Sequence, residues 1–587
     1  MKYKLINEIN NDLSGVEQVL VNRGMSVDKI PHFLYSTMGD VNDYRLLGEE
    51  WLERGWELIN TCITHGRDVL VIVDADCDGF TSSAILINYL HDLDTEWAAK
   101  HLKFFLHDSK QHGLSDCMGY IALKRPDLVI LPDASSSDYP YHKILFDNGI
   151  GILVIDHHEA PYRSEHAVVI NNQLSIYPNK DMSGAGVTWQ FCRYVDAIND
   201  KSYADSYLDL VALGMMADMM DMTQIETKTL IQEGFKEKNI RNPFIYGMVK
   251  KNAFSLGDRV TPMGAAFYIA PFVNAMTRSG TLEEKELLFK SMLKHEAFEL
   301  ILSNKRGHKL GEKEQLYEQA LRCVTNVKKR QQTAQDNGLS FLEKKIKTEN
   351  LLEHKALIFK VKMGEVEKNI AGLVANKFSP KYQRPCAILI EYVEDGKKFY
   401  RGSARGYEKM GLADFRQVCL DTKLVEYAQG HANAFGLSIE AEKLPAFIEA
   451  IDIALKDFDT EPIYYVDYIF KPYSIEGEKI LEIADMEDLW GKGLDEALVA
   501  IQSVKITPNE IHIYRKKGIT LRIDLPDEIA VIKFNLSEEE AEYFENLEGF
   551  IIMDIIGKCK KNEWNGRVTP QLFLEDYAID KKVKWVF

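Results

Sequence analysis

Residues 69–82 read VLVIVDADCDGFTS, and this stretch decides the fold. Its first five residues are all apolar, without polar alternation. That pattern describes a strand buried on both faces, as in a parallel sheet covered by helices. The run then stops in Asp74, Asp76 and Asp78, with Gly79 after them. Residues 81–93 carry helical apolar spacing, so the unit reads strand, acidic turn, helix. Two further apolar runs repeat the theme. DLVILPD ends in Asp133, and GILVID ends in Asp156, with His157 and His158 directly behind it. Strands at 69–73, 128–131 and 150–155, separated by helical segments, predict a parallel α/β sheet across residues 66–225.

Open α/β sheets bind ligands at the carboxyl ends of their strands, which is where these aspartates fall. Carboxylates on alternate residues repel one another, and burial raises their pKa unless cations sit among them. An EF-hand loop does not fit, because no glutamate follows at the required place and no helix precedes the loop. Hard oxygen donors beside imidazole suit manganese, magnesium or zinc. Two ions joined by a bridging carboxylate would clamp a phosphoryl group and activate a water. A fourth candidate is Asp218, which interrupts the apolar run LDLVALGMMADMMDM at 208–222. An unpartnered carboxylate is expensive there, unless it is a helix end facing water.

The chain has 587 residues, enough for three to five domains at about 100–200 residues each. Its 46% hydrophobic and 27% charged content excludes a disordered or fibrous chain. With 71 Lys+Arg against 89 Asp+Glu the formal charge is −18, which excludes coating nucleic acid or anionic membrane through bulk charge. A polyanion must be met by bound metal or by a local basic track. The best track is 303–330, where eight Lys/Arg stand against three Glu. Residues 282–335 lack proline and carry helix formers, which predicts one or two long helices presenting that track. Eight cysteines without a C-x-x-C pair read as free thiols in a reducing cytosol. The opening MKYKLINEINNDLSG lacks the apolar core of a signal peptide. No run approaches the ~18 apolar residues a membrane span needs. The expectation is a soluble, intracellular protein. Residues 351–460 mix strands and helices. From 461 short strands dominate, at 510–514, 519–523, 529–534, 549–556 and 571–577, which suggests a small barrel such as an OB-fold.

Taken together, these motifs resemble the DHH phosphoesterase family, and within it the RecJ-type single-strand exonucleases. Asp156-His157-His158 matches the name-giving triplet, DADCDG the first motif, Asp133 the second, and Asp218 in GMMADMMDM the fourth. PFVNAMTR, with Asn274 and Arg278, resembles the RecJ-type P-R-x-N-A-x-x-R segment. NIAGLVANKFSPKYQRPCAIL resembles the opening of the DHH-associated domain. RGSAR, with Ser403 and Arg405, and GHANAFG, with Gly430 and His431, resemble its nucleotide-binding elements. NEWNGRVTPQLFLEDY, from Asn562, resembles the last strands of the family's OB-fold. Departures lie at Phe272, where the family has arginine, in the loop LHDSKQHGL, where His107 stands near another family arginine, and at Gln429 beside Gly430.

The resemblance implies five parts: an N-terminal segment at 1–65 packed on the catalytic domain, a parallel-sheet DHH domain at 66–285, and a long connecting helix region at 286–350. A mixed α/β associated domain at 351–460 and an OB-like barrel at 461–587 follow. It also implies two divalent ions, manganese first and magnesium second, held by Asp74, Asp76, Asp78, Asp133, His157 and Asp218, with Asp133 bridging. Asp156 would orient the neighbouring imidazole, and His158 would meet the scissile phosphate. Asn274, Arg278, Ser403, Arg405, Gly430 and His431 would hold substrate, the arginines gripping a terminal phosphate. Trp564 would be a base platform or a turn-packing residue. The implied function is hydrolysis of single-stranded DNA, 5′→3′, in repair or recombination. The alternatives are a phosphodiesterase for short oligonucleotides or nucleotides and a non-catalytic replication scaffold. Implied partners are single-stranded DNA and a single-strand-binding protein or helicase. A monomer in the cytoplasm of a bacterium or phage-infected cell is expected.

Overall fold

The computed structural model describes residues 1–108, 112–257, 259–458, 463–516 and 518–583. The chain divides into two units. The first comprises Arg23–Lys328 and Met486–Glu496, the second Met1–Asn22, Lys329–Asp485 and Ala497–Phe587.

The first unit is built on a five-stranded, all-parallel sheet. Its spatial order is Leu102–Leu106, Val69–Val73, Leu128–Pro132, Gly151–Asp156, Val168–Asn171. The two central runs, VLVIV and LVILP, are buried at every position. Leu70, Ile72, Val129, Leu131, Ile152 and Val154 pack on one face with Leu114, Ile121 and Leu145. Helices Glu49–His65, Cys77–Leu93 and Gly184–Asn199 also pack against this sheet. In chain order the strands run 2-1-3-4-5, so the direction of winding reverses between Val69–Val73 and Leu128–Pro132. Ligands of doubly wound sheets bind at that reversal. Here the ladder between the two strands ends at Val71 and Ile130, short of the strand ends. The carboxyl ends therefore stop being hydrogen-bonded to one another where Asp74 and Asp133 emerge.

Sequence pattern missed the two edge strands. Leu102–Leu106 follows a short helix, Thr95–His101, and reads LKFFL, with Lys103 exposed; Val168–Asn171 is only four residues long. Of the one or two long helices expected over 282–335, the structure has two, but a hairpin separates them. A helix at Leu282–Met292 gives way to a hairpin, Leu300–Leu302 with Lys313–Gln315, before the 33-residue helix Leu316–Thr348 begins. Gly307 and Gly311 adopt positive φ at the hairpin tip, a conformation that breaks a helix without any proline. The basic track therefore lies partly on a hairpin, and Glu314 pairs with both Lys305 and Arg322.

In the second unit a five-stranded sheet runs Tyr427–His431, Ala434–Glu440, Lys397–Arg405, Cys386–Glu394, Leu357–Val361, antiparallel except for its last pair. A separate hydrophobic core covers each face. A seven-stranded sheet forms the OB region, centred on the long hairpin Phe550–Trp564 with Arg567–Val583. Its turn is Asn565-Gly566, both at positive φ, as a two-residue hairpin loop requires. Trp564 beside it is 73% exposed, so it does not pack the turn.

Two expected boundaries shift. Residues 1–22 belong to the second unit, because Lys2–Leu5 adds a parallel strand to Ile463–Val466 and Gly15 N–H donates to Glu482. Residues Met486–Glu496 belong to the first, where the Met222 and Lys492 backbones bond and Arg259 pairs with Glu487 and Asp488. The cysteines form no disulfide. Among the described residues no helix is long and apolar enough to cross a membrane.

Candidate metal centre

Four chain segments deliver the acidic cluster to the carboxyl ends of the sheet. Asp74 leaves the first strand buried. Asp76 caps helix Cys77–Leu93 by accepting Gly79 N–H at 3.1 Å. Asp78, in that helix's first turn, is buried against the N-terminus of helix Gly184–Asn199. It accepts from Ser183 Oγ (2.9 Å), Gly184 N (2.7 Å) and Ala185 N (3.2 Å). Orphan amides and the positive end of a helix favour a carboxylate there. Two glycines permit the close approach. A Cβ at Gly184 would collide with Asp133 Oδ1, and one at Gly214 with Asp78 Oδ1.

Asp133 follows its strand with φ +68°, a left-handed conformation that aspartate tolerates better than most residues. Its own N–H donates to Ile155 O at 2.8 Å. Asp156 is fully buried: Oδ1 accepts from His157 N (2.7 Å), His158 N (3.1 Å) and His158 Nδ1 (2.7 Å), and Oδ2 from Ser136 N (3.0 Å). Asp218 caps the end of helix Leu208–Ala217, with Oδ2 3.5 Å from His157 Nε2. It is thus both a helix-end residue and a member of the cluster.

The donors form three overlapping groups: Asp133 with Asp156, His157 and His158; Asp78 with His157 and Asp218; and Asp74 with Asp76 and Asp133. His157 Nε2 stands 3.2 Å from Asp133 Oδ1 and 3.9 Å from Asp78 Oδ2. Yet His157 Nε2, Asp133 Oδ1 and Asp74 Oδ1 are buried without a hydrogen-bond partner. Burying such atoms unsatisfied costs roughly 1–3 kcal/mol each, so their place in linked donor groups fits a divalent cation.

Electrostatics agree. Burial, then the charges of Asp78, Asp76 and Asp74, push the Asp133 carboxyl well up. Burial followed by Asp78 and Asp76 raises Asp218 to about 8. Asp74 and Asp78 are raised as well, chiefly by burial. Burial would also raise Asp156, but its hydrogen bond from His158 and the nearby imidazole charges outweigh it and hold the group low. That bond raises His158 to about 9, whereas burial lowers His157. The two neighbouring imidazoles are thus pushed in opposite directions.

Asn274 and Arg278 stand one turn apart on helix Ala270–Ser279, on one face. Burial lowers the Arg278 guanidinium, opposed by the charge of Asp76. In the second unit Arg405 and His431 both sit opposite Ala434 across the sheet, and so share a face. Arg405 donates from Nε to Asn376 Oδ1 at 2.6 Å, and Gly372 lies against both Arg405 and Ser403. Gly430 holds φ +128°, with its carbonyl accepting from Arg416. His107, near a family arginine, is buried against Asp116 at 2.9 Å. Ser109, Lys110 and Gln111 of that loop lie outside the described residues. One member of the centre had no signal in the sequence beyond its place in that departing loop: His112, with Nδ1 2.5 Å from Asp74 Oδ2.

Three family models match this chain: the DHH family N-terminal domain over 68–215, the DHHA1 domain over 354–457 and the RecJ OB domain over 466–576. An SPbeta prophage-derived protein of Bacillus subtilis, provisionally named a single-strand DNA-specific exonuclease, is 32% identical over 583 residues. That alignment covers 99% of this chain and 98% of the relative. The chain belongs to the RecJ-like branch of the DHH family. Bacillus subtilis RecJ, named a single-stranded-DNA-specific exonuclease, is 22% identical over 96% of this chain and 68% of its own length. Thermus thermophilus RecJ with Mn2+ shares the fold at TM-score 0.70 and 19% identity, covering 99% of this chain and 80% of that one. The same protein with Mg2+ gives TM-score 0.64 at 18% identity, covering 100% and 79%. The RecJ-like fold, with its DHH domain, associated domain and OB domain, is therefore that of this chain.

Proposed function

We propose that this RecJ-like protein is a metal-dependent 5′→3′ exonuclease of single-stranded DNA, acting in repair or recombination. The observation that carries the reading is that Asp74 Oδ1, Asp133 Oδ1 and His157 Nε2 are buried, unpartnered atoms of residues in donor groups linked through Asp133, at the reversal of the sheet. Asp74, Asp76, Asp78, Asp133, His157 and Asp218 would hold two divalent ions, manganese or magnesium. Asp133 and His157 belong to more than one donor group and suit a shared position. Bound there, such ions lower the pKa of water and offset charge on a phosphoryl group.

The chain's own residues do the rest. Asp156 fixes His158 by accepting its Nδ1–H, which leaves Nε2 as the imidazole's outward donor. That donor would meet a phosphoryl oxygen or the departing sugar oxygen. Arg278 and Asn274 are candidate substrate contacts of the first unit, and Ser403, Arg405, Gly430 and His431 are, separately, those of the second; guanidinium forks suit a terminal phosphate. The exposed hairpin between Leu300–Leu302 and Lys313–Gln315 is the candidate track for the strand's backbone, and Trp564 a candidate base platform.

The test is digestion of 5′- and 3′-labelled single-stranded DNA, RNA and dinucleotides with Mn2+. Early release of the 5′ label from DNA supports the reading; early 3′ release reverses the polarity. Hydrolysis of dinucleotides alone overturns it in favour of an oligonucleotide phosphodiesterase.

A further inference from the structure

His112 contacts the acidic cluster but has no role in the assignment above. Its Nδ1 lies 2.5 Å from Asp74 Oδ2, within hydrogen-bonding reach, while the imidazole remains 49% exposed. The other oxygen of the same carboxylate, Oδ1, is buried and has no hydrogen-bond partner. One edge of Asp74 is therefore tied and the other left open. A hydrogen bond on one oxygen restricts the rotation that would otherwise swing the carboxylate out of a productive plane. It also sets the direction in which the open oxygen points.

The imidazole can do this because the chain behind it is pinned. Gly113 adopts φ +71°, and a side chain there would strike Asp138. Asp138 Oδ2 accepts Leu114 N–H at 2.9 Å and Ser135 Oγ at 2.8 Å. Leu114 and Cys117 are buried in the sheet's core. Asp138 thus clamps the residues after His112 to the segment that follows Asp133, joining two walls of the cluster.

We infer that His112 is a positioning residue that holds Asp74 with Oδ1 turned toward the metal. This rests on the reading of the cluster as a metal centre, though not on the identity of the substrate. A carboxylate without its supporting donor keeps its charge but loses its aim, and such outer partners typically change metal affinity about 10–100-fold. Asparagine at this position retains an N–H donor on a short arm, whereas alanine does not.

The experiment is calorimetric titration of Mn2+ into the full chain without DNA, for the parent, His112→Ala, His112→Asn and Asp74→Asn. Thermal unfolding of each in EDTA checks the fold. The expected result is about 10–100-fold weaker binding at one site in His112→Ala, with unchanged stoichiometry. His112→Asn should recover most of the affinity, and Asp74→Asn should weaken binding at least as much as His112→Ala. Parent-like Mn2+ affinity in His112→Ala, with Asp74→Asn impaired, overturns the positioning role alone. One ion fewer per chain in His112→Ala also overturns it, by making the imidazole a ligand. Parent-like affinity in Asp74→Asn overturns the metal-centre reading itself.

Discussion

Asp133 Oδ1 lies 3.2 Å from His157 Nε2, yet neither atom has a hydrogen-bond partner. A carboxylate and an imidazole at that separation would ordinarily be aligned on one another. Here both belong instead to one group of donor atoms that lie within 4.8 Å of one another. Asp133 reaches it from a left-handed φ at the end of one strand, and His157 from the end of the next. The geometry stores repulsion among buried aspartates that a cation would relieve.

Asp133→Asn is therefore expected to act in opposite directions with and without metal. In EDTA the variant should melt at a higher temperature than the parent, because one repelling buried carboxylate is gone. With Mn2+ the order should reverse. Ligand at 100 times its Kd adds about 2.7 kcal/mol to a protein that binds it, and the variant should gain little of that. Mn2+-dependent hydrolysis should be lost. Differential scanning fluorimetry with and without Mn2+ reads the first part, and a parent-like gain on adding Mn2+ would sink the assignment.

Asp218 carries a pH signature. Its carboxyl is raised to about 8 by burial and by Asp78 and Asp76. The folded state thus holds this proton more tightly than the unfolded chain does. The favourable contribution is complete below the ordinary carboxyl pKa of about 3.9 and is lost as pH rises through 8. In EDTA the parent should lose melting temperature from pH 5 to 8 more steeply than Asp218→Asn. Parallel pH curves for the two proteins would contradict the shift.

His158 takes its raised pKa, about 9, first from the hydrogen bond to Asp156. If its imidazolium form is the working donor, parent activity should persist until pH rises through about 9. Asp156→Asn removes the carboxylate and should move that alkaline limb toward the ordinary histidine value of about 6.5. Turnover should fall by at least tenfold while DNA binding in EDTA changes little. An unmoved limb would show that His158 does not supply the proton.

Much of this centre was legible because its chemistry sits at strand ends. An apolar run that stops in aspartate marks both the sheet and its ligand edge, so Asp74, Asp133 and Asp156 announced themselves together with the parallel fold. What stayed hidden depends on contacts between distant residues. Gly184 and Gly214 look like ordinary helix glycines until the carboxylates of Asp133 and Asp78 are seen against them. His112 is thirty-eight positions from the aspartate it holds. The edge strand Leu102–Leu106, too short and too mixed to give a pattern, is fixed by pairing with Val69–Val73. The hairpin at 300–315 was concealed because helix formers fill its sequence, while two glycines at positive φ decide its shape.

That hairpin supports the last prediction. Of the cations in the basic run, Lys305 and Arg322 are drawn onto buried Glu314, which lowers their value for binding phosphate. Arg306, Lys309 and Lys313 are exposed on the hairpin, and Leu310 at its tip is fully exposed. In a chain of net charge −18 these three residues form a local positive surface that a nucleic acid backbone can approach. Backbone binding carries no sequence information but makes affinity depend on salt, with a slope of about 0.7 per phosphate for single strands. Replacing all three with glutamate should weaken binding of long single-stranded DNA equally for every sequence. It should also flatten the salt dependence by about 0.7 for each phosphate no longer neutralised. Hydrolysis of a dinucleotide, too short to reach beyond the metal centre, should be unaffected. Fluorescence anisotropy across a salt series is the measurement. An unchanged salt slope would move the DNA track elsewhere, whereas a matched loss on the dinucleotide would show that the hairpin acts on the metal centre itself.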